Sequence, residues 1–144
     1  MSSIAPAATG VSTPSYQPTV MLIGRLLIAA LFLNAGLRKA FGYAATVGYF
    51  TKLGFPMPEV FAVIVPIIEV GGALLLVAGW KSRYAAWVLA LFCVIAAFSA
   101  HRFWQFDAAQ AGNQMNHFMK NFAIAGGLMF LAAMGPGSFS VDKS

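Results

Sequence analysis

The chain is a short, strongly apolar polypeptide, and its composition excludes a water-soluble domain. Of its 144 residues, 60% are hydrophobic and 9% are charged, whereas soluble domains carry about 25% charged residues. The net charge of +5 comes from nine Lys and Arg against four Asp and Glu that are dispersed along the chain. Dispersed basic residues exclude a nucleic-acid interface and are explained by anchoring at lipid headgroups, so the composition predicts the lipid bilayer as a partner.

Residues 1–19 precede the first apolar segment and contain no Lys or Arg. A secretory signal begins with a positively charged region. We therefore interpret these residues as a disordered tail, and we expect the first apolar segment to act as an uncleaved insertion signal. Pro18 and Thr19 are residue types common at the start of a helix.

Four apolar segments follow, each about as long as the roughly 20 residues that a helix needs to cross a bilayer. Between the first two lies a stretch rich in aromatic residues, Gly and Pro, which predicts a short interfacial helix. The connections leave no room for a soluble catalytic domain. We predict an all-α integral membrane four-helix bundle over residues 20–137, followed by a short tail over 138–144. The predicted spans are residues 20–39, 60–80, 84–102 and 115–134.

Glu69 lies in the middle of the second apolar segment. Within residues 60–80, nine residues precede Glu69 and eleven follow it, and none of these neighbours is charged. Burying an ionised acid at the centre of a membrane helix costs roughly 2.5 kcal/mol or more, so such an acid normally faces a partner or a cavity. The helical rise brings Lys120 and Arg25 within reach from opposite sides as competing counter-ions. Glu69 is therefore the first candidate for a functional residue.

Polar side chains on the other predicted spans are placed so that one cavity could collect them around Glu69. On the fourth span they follow the three- and four-residue spacing of one helix face. We interpret Glu69 and His117 as the groups that pass a proton to or from a bound hydroxylated or quinoid ligand. The alternative is a buried ion pair that only fixes the helix register. The ligand-binding side chains of this predicted site are Arg25, Asn34, His101, Lys120 and Asn121.

Cysteine and histidine usage restricts the chemistry further. Cys93 is the only cysteine, which excludes an intrachain disulfide, and we interpret it as a small apolar residue in helix packing. His101 and His117 lack a spaced acidic partner, so no metal site is predicted. A haem held between these two histidines and a role as interfacial anchors are both left open.

Several short motifs follow one another along the chain after the tail. They are an arginine early in the first span, a Gly-x-x-Lys exit from it, a Gly-Phe-Pro turn, a mid-helix acid, and a closing Gly-x-Gly-Ser. Together they closely resemble the DoxX family of four-helix bacterial membrane proteins. The residues that carry the resemblance are Arg25, Gly36, Lys39, 54–56, Glu69, Gly72, 79–83, Lys120, Asn121, Gly135, Gly137, Ser138 and Asp142.

The resemblance implies a multi-pass protein of the bacterial cytoplasmic membrane with both termini in the cytoplasm, whereas the distribution of Lys and Arg alone gives no orientation. It also implies a link to quinone-dependent oxidation. In that role the chain would be a small subunit or accessory that is not self-sufficient, with quinone as the cofactor. A redox partner protein in the membrane, the periplasm or the cytoplasm is then expected. Branches that handle thiols need paired cysteines, so the single Cys93 argues against a disulfide relay.

Two other classes of function remain open from the sequence. The first is a non-catalytic scaffold or anchor of a redox complex, in which the buried charges only lock the bundle. The absence of a self-sufficient redox centre from the sequence favours this class. The second is a carrier for small solutes, which needs two access states. A chain of this length would have to form a homo-oligomer to supply them.

Overall fold

The computed structural model describes residues 14–142, and all regular structure within that range is helical. Apart from the short helix over Tyr43–Lys52, the described α-helices are long and apolar enough to cross a membrane, which makes four spans. The predicted four-helix membrane bundle with an additional short helix is therefore confirmed. The α-helices are α1 (Gln17–Phe41), α2 (Tyr43–Lys52), α3 (Pro58–Ala78), α4 (Ser82–Ala100) and α5 (Ala108–Met134), and a 3-10 turn (Phe103–Gln105) precedes α5.

The helix limits differ from the predicted ones chiefly at the two outer spans. Helix α1 already begins at Gln17, with a proline in its first turn, while residues 1–13 of the predicted disordered tail lie outside the described range. Helix α5 begins at Ala108, about two turns before residue 115. Its start is set by Asp107, whose carboxylate accepts a hydrogen bond from the backbone N–H of Gln110 at 3.0 Å. A side-chain cap of this kind satisfies a donor that the helix itself leaves free.

The helices pack as two pairs. Helix α1 lies along α3 and helix α4 lies along α5, while α3 and α4 join the pairs and α1 and α5 contact each other only weakly. Helix α2 packs across α3 and the end of α1. The buried core is rich in alanine, which allows close packing where lipid removes the usual hydrophobic driving force. Its fully buried members include Ala29, Ala73, Leu76, Ala86, Leu89 and Leu128.

Two glycines allow neighbouring helices to approach closely. A Cβ added to Gly36 of α1 would lie 2.7 Å from Val70 Cγ2 of α3, and one added to Gly72 would lie 2.9 Å from the Leu89 side chain of α4. Neither position has space for a methyl group without a shift of its neighbour. At Gly126 an added Cβ would meet nothing within 4 Å, so this glycine makes no close helix contact.

Gly36→Ala is expected to destabilise the bundle by about 1–3 kcal/mol, the usual cost of overpacking. The new methyl group would lie 3.2 Å from the backbone nitrogen of Val70, so helix α3 itself would have to move. Gly24→Ala on the same helix is the matched control, since nothing lies within 4 Å of its added Cβ. Titration with a denaturing detergent, followed by circular dichroism, measures both variants. Equal stability of Gly36→Ala and Gly24→Ala would contradict the close-packing role.

The end of the bundle that carries the chain termini is closed by residues 135–142, here called the C-terminal strap. The backbone N–H groups of Val141 and Asp142 donate hydrogen bonds to the carbonyls of Ala78 and Gly79 at 3.1 and 3.0 Å. The strap thus bonds to the carbonyls at the end of α3. The predicted tail over 138–144 is therefore docked on the bundle as far as it is described.

Arg25 holds the strap from inside the bundle. Its guanidinium group is buried, with 2% of the residue exposed, and donates hydrogen bonds to the carbonyls of Pro136 at 2.8 Å and Phe139 at 2.6 Å. Gly79 makes room for it, since an added Cβ there would lie 2.6 Å from Arg25 Nη1. Gly79 also has φ +68°, a backbone conformation that favours glycine.

Candidate functional site

A cavity of about 500 Å³ lies in the half of the bundle remote from the chain termini. All five helices contribute to its walls, and α2 covers it at this end of the bundle. Its size and largely apolar lining suit a small-molecule ligand. The aromatic lining residues are Phe32, Tyr49, Phe50, Phe55, Phe61 and Phe92, and the polar ones are Lys39, Glu69, Cys93, Ser99, His101, His117 and Asn121.

Glu69 pairs with Lys39 and with neither of the counter-ions predicted from the sequence. Lys39 Nζ lies 2.8 Å from Oε1 and 2.9 Å from Oε2 of Glu69. The Glu69 side chain is 4% exposed and that of Lys39 is 28% exposed, so the acid is buried and the amine reaches it from the rim. Gly36, one turn before Lys39, brings α1 and α3 close enough for this contact. The intramembrane acid is thus part of a two-bond ion pair.

The two predicted counter-ions lie elsewhere. Arg25 bonds to the C-terminal strap at the opposite end of the bundle. Lys120 is exposed and does not line the cavity, because the face of α5 turned inward carries His117, Asn121 and Ile124. Of the polar residues predicted to form one inward stripe on this helix, His117 and Asn121 line the cavity and Lys120 does not.

His101 and His117 form a stacked pair at the cavity wall. Their ring centroids are 5.0 Å apart and their planes differ by 19°. His101 Nδ1 lies 2.9 Å from Gln114 Oε1, and the Asn121 amide donates to the His117 carbonyl at 3.0 Å. A porphyrin does not fit between rings that touch, so the haem considered from the sequence is incompatible with this arrangement. Residues 14–142 contain no cluster of three or more His, Cys, Asp or Glu suited to a metal.

The two polar groups lie at different depths. Helix α3 enters the bundle at the cavity end, and Glu69 is the deepest of its lining residues. Helices α4 and α5 have their connection at that same end, and His101 and His117 are their shallowest lining residues. Along α4 the wall runs from Phe92 to His101, about 13.5 Å of helical rise. The cavity therefore has an ion pair at its deep end, an imidazole pair at its shallow end, and apolar walls between them.

Helix α2 is fastened over the cavity at several points. Thr46 Oγ1 lies 3.0 Å from the carbonyl oxygens of both Lys39 and Gly42, and its hydroxyl donates to them. Arg102 Nη2, beyond the end of α4, donates to the Leu53 carbonyl at 3.0 Å. Tyr49 lines the cavity from this helix. Its hydroxyl is a neutral hydrogen-bond donor or acceptor at physiological pH, since a phenol ordinarily ionises well above neutral pH.

Sequence reasoning missed two residues of this site and, besides Arg25 and Lys120, misplaced Asn34. Lys39 was interpreted as an interfacial anchor, although its place in the Gly-x-x-Lys motif was a usable signal. Cys93 was interpreted as packing, yet it is buried and lines the cavity. Asn34 is exposed and lines a separate groove between α1 and α2. His101, His117 and Asn121 do lie on the cavity wall, as does Glu69.

Comparison with known proteins places the chain among small membrane proteins. The sequence model of the DoxX family matches residues 20–102, more than half of the chain. Inner membrane protein YphA of Escherichia coli K12 is 35% identical over 127 residues, covering 88% of this chain and 91% of the relative. Inner membrane protein YqjF of the same organism is 36% identical over 123 residues, covering 85% and 89%.

A more distant relative is longer. The Surfeit locus protein 4 homolog of Schizosaccharomyces pombe is 27% identical over 135 residues, which are 92% of this chain but 40% of that protein. No solved structure matches the chain. The family match includes Lys39, Glu69 and His101, whereas His117 and the C-terminal strap lie beyond the matched residues.

Proposed function

This chain belongs to the DoxX family and is a multi-pass inner membrane protein, and we propose that its cavity binds a small ring ligand of the quinone class. The observation that carries the proposal is the pair of polar ends across an apolar, aromatic cavity. A quinone has the same pattern, with a carbonyl acceptor at each end of a flat apolar ring. The predicted role as an accessory of quinone-linked oxidoreduction is kept as part of this proposal.

The donor set of the cavity fits such a ligand. At the deep end the Lys39 ammonium has three N–H donors, of which the Glu69 carboxylate accepts bonds at 2.8 and 2.9 Å. At the shallow end a histidine ring N–H and the Tyr49 hydroxyl are available as donors. The phenylalanine rings of the wall offer faces and edges for stacking on a flat ring.

Reduction of a bound quinone to the quinol consumes two electrons, which a partner redox protein would supply, and two protons. The chain's own residues supply and accept the protons. The ion pair of Lys39 and Glu69 can release or accept a proton at the deep end, and Glu69 holds the amine in place. His101 and His117 connect the shallow end to the membrane surface, where protons exchange with water.

Glu69→Gln should weaken binding of a benzoquinone with a short isoprenoid tail by about tenfold or more, because the charge-assisted hydrogen bonds that position Lys39 are lost. Equilibrium dialysis of the detergent-purified protein measures it. Glu59→Gln is the matched control, since Glu59 is an exposed acid in the first turn of the same helix. Ala96→Phe places a phenyl ring in the cavity while leaving its polar groups unchanged, and it should abolish binding.

The outcomes separate this proposal from its main alternative. Unchanged binding in both Glu69→Gln and Ala96→Phe would show that the quinone binds outside the cavity. If even the wild-type protein does not bind the probe but retains a partner protein through purification, the scaffold function is favoured. The observation that supports a scaffold is the ion pair itself, which is satisfied within the chain without a ligand.

A further inference from the structure

We propose that a second site, on the outer face of the bundle, binds the phosphate headgroup of an anionic phospholipid. It is a groove of about 510 Å³ between residues 31–39 of α1 and residues 45–49 of α2, with Gly42 of their connection at its edge, here called the interfacial groove. It shares Leu31, Ala35, Lys39 and Tyr49 with the cavity but opens to the surroundings of the bundle. The inference is independent of the quinone proposal, because Arg38 and Asn34, on which it rests, do not line the cavity.

Arg38 is the recognition group of the interfacial groove. It is exposed, lines the groove, and has no hydrogen-bond or ion-pair partner among residues 14–142. A guanidinium fork binds phosphate oxygens through two parallel hydrogen bonds. Lys39 adds a second cation to the wall, although its ammonium group faces Glu69. No acidic residue lines the groove, so its charge complements a phosphate that carries a net negative charge.

Asn34 supplies the second observation. It lies one turn before Arg38 on the same face of α1, and it is exposed within a helix that crosses the membrane. A primary amide that faces hydrocarbon without a partner costs several kcal/mol on water-to-hydrocarbon scales. No side-chain partner for this amide occurs in the described part of the chain. A headgroup held at Arg38 would satisfy the amide donors with phosphate or ester oxygens.

The position of the interfacial groove suits a lipid. Arg38 lies three residues before the end of α1 at Phe41, about 4.5 Å of helical rise. Helix α2 has 10 residues, which is too short to cross a bilayer and places it at the membrane surface. Deeper along the same wall are Leu31, which is 46% exposed, and Ala35. The headgroup would contact Arg38 at the surface while one acyl chain follows Leu31 into the hydrocarbon.

The test uses the full chain in nanodiscs of phosphatidylcholine that contain a minor share of phosphatidylglycerol. After gentle extraction, native mass spectrometry counts the lipids that stay bound. The wild-type protein should retain phosphatidylglycerol over phosphatidylcholine, and Arg38→Gln should reduce that retention by about tenfold, the effect of one lost charge-assisted contact. Lys52→Gln is the matched control, since Lys52 is an exposed cation of α2 outside the groove.

A second variant separates the site from general surface charge. Ala45→Phe fills the interfacial groove without changing any charge, and it should also lose phosphatidylglycerol. Equal losses in Arg38→Gln and Lys52→Gln, or no loss in Arg38→Gln, would overturn the proposal. Displacement of the bound lipid by inorganic phosphate alone would assign the groove to free phosphate and overturn the lipid assignment. Resistance to inorganic phosphate, with loss in both groove variants, would support it.

Discussion

Lys39→Met is expected to destabilise the bundle by about 3–5 kcal/mol, the cost of removing one partner from a buried ion pair. Glu69 is 4% exposed and receives two hydrogen bonds from Lys39 Nζ. Methionine matches the length of the lysine stem but donates nothing, so the carboxylate would lose both bonds. Detergent-induced unfolding followed by circular dichroism measures the loss of free energy.

A double-mutant cycle attributes that loss to the pair. Lys39→Met combined with Glu69→Met replaces both charges by apolar groups, which is often neutral for a buried pair. The double variant should therefore recover most of the stability that Lys39→Met loses. Lys52→Met serves as the control for removing a cation at the same end of the bundle. A Lys39→Met variant as stable as Lys52→Met would show that the ion pair contributes nothing to the fold.

The architecture could be predicted because the bilayer imposes it. Apolar length sets the spans, and a chain in hydrocarbon must satisfy its backbone inside helices. The aromatic stretch between the first two spans indicated α2, since aromatic residues favour the membrane interface. Glu69 was found for a related reason, because a charge in the middle of a span is costly and hence informative.

The partner of Glu69 could not be predicted, since it depends on which helices pair and in what register. The sequence allowed Glu69 to meet α1 at the level of Arg25 or α5 at Lys120. The structure instead packs α1 against α3 with Gly36 beside Val70. Lys39 then extends from the rim toward the bundle centre, although a lysine near a helix end can equally extend to the headgroups.

The role of Arg25 was mispredicted because a sequence shows that a charge is buried without showing which groups bind it. Charge balance suggested an acid, whereas the partners are backbone carbonyls of the C-terminal strap. These carbonyls belong to a glycine-rich segment after α5 whose docking cannot be inferred from composition. Cys93 was missed for a comparable reason, since a small buried residue lines a cavity only when its neighbours leave space.

Arg25→Met should destabilise the bundle by about 2–4 kcal/mol, because it removes two hydrogen bonds from a charged donor and leaves the buried Pro136 carbonyl and the partly buried Phe139 carbonyl without this donor. The bonds at 2.8 Å to Pro136 and 2.6 Å to Phe139 join the start of α1 to the strap. Lys52→Met in α2 is the matched control. Because Lys52 is exposed and makes no side-chain hydrogen bond among the described residues, its loss should change stability by no more than about 0.5 kcal/mol.

If Arg25 stabilises the bundle through the strap, removing the strap should remove most of its effect. A chain that ends after Gly137 retains the Pro136 carbonyl but loses Phe139, so Arg25→Met should cost clearly less in that background than in the full chain. Coupling of this kind is expected only between groups that touch or share partners. Limited proteolysis offers a second readout, since Arg25→Met should expose the strap to cleavage. Equal costs of Arg25→Met in both backgrounds would show that the arginine acts on the helices alone.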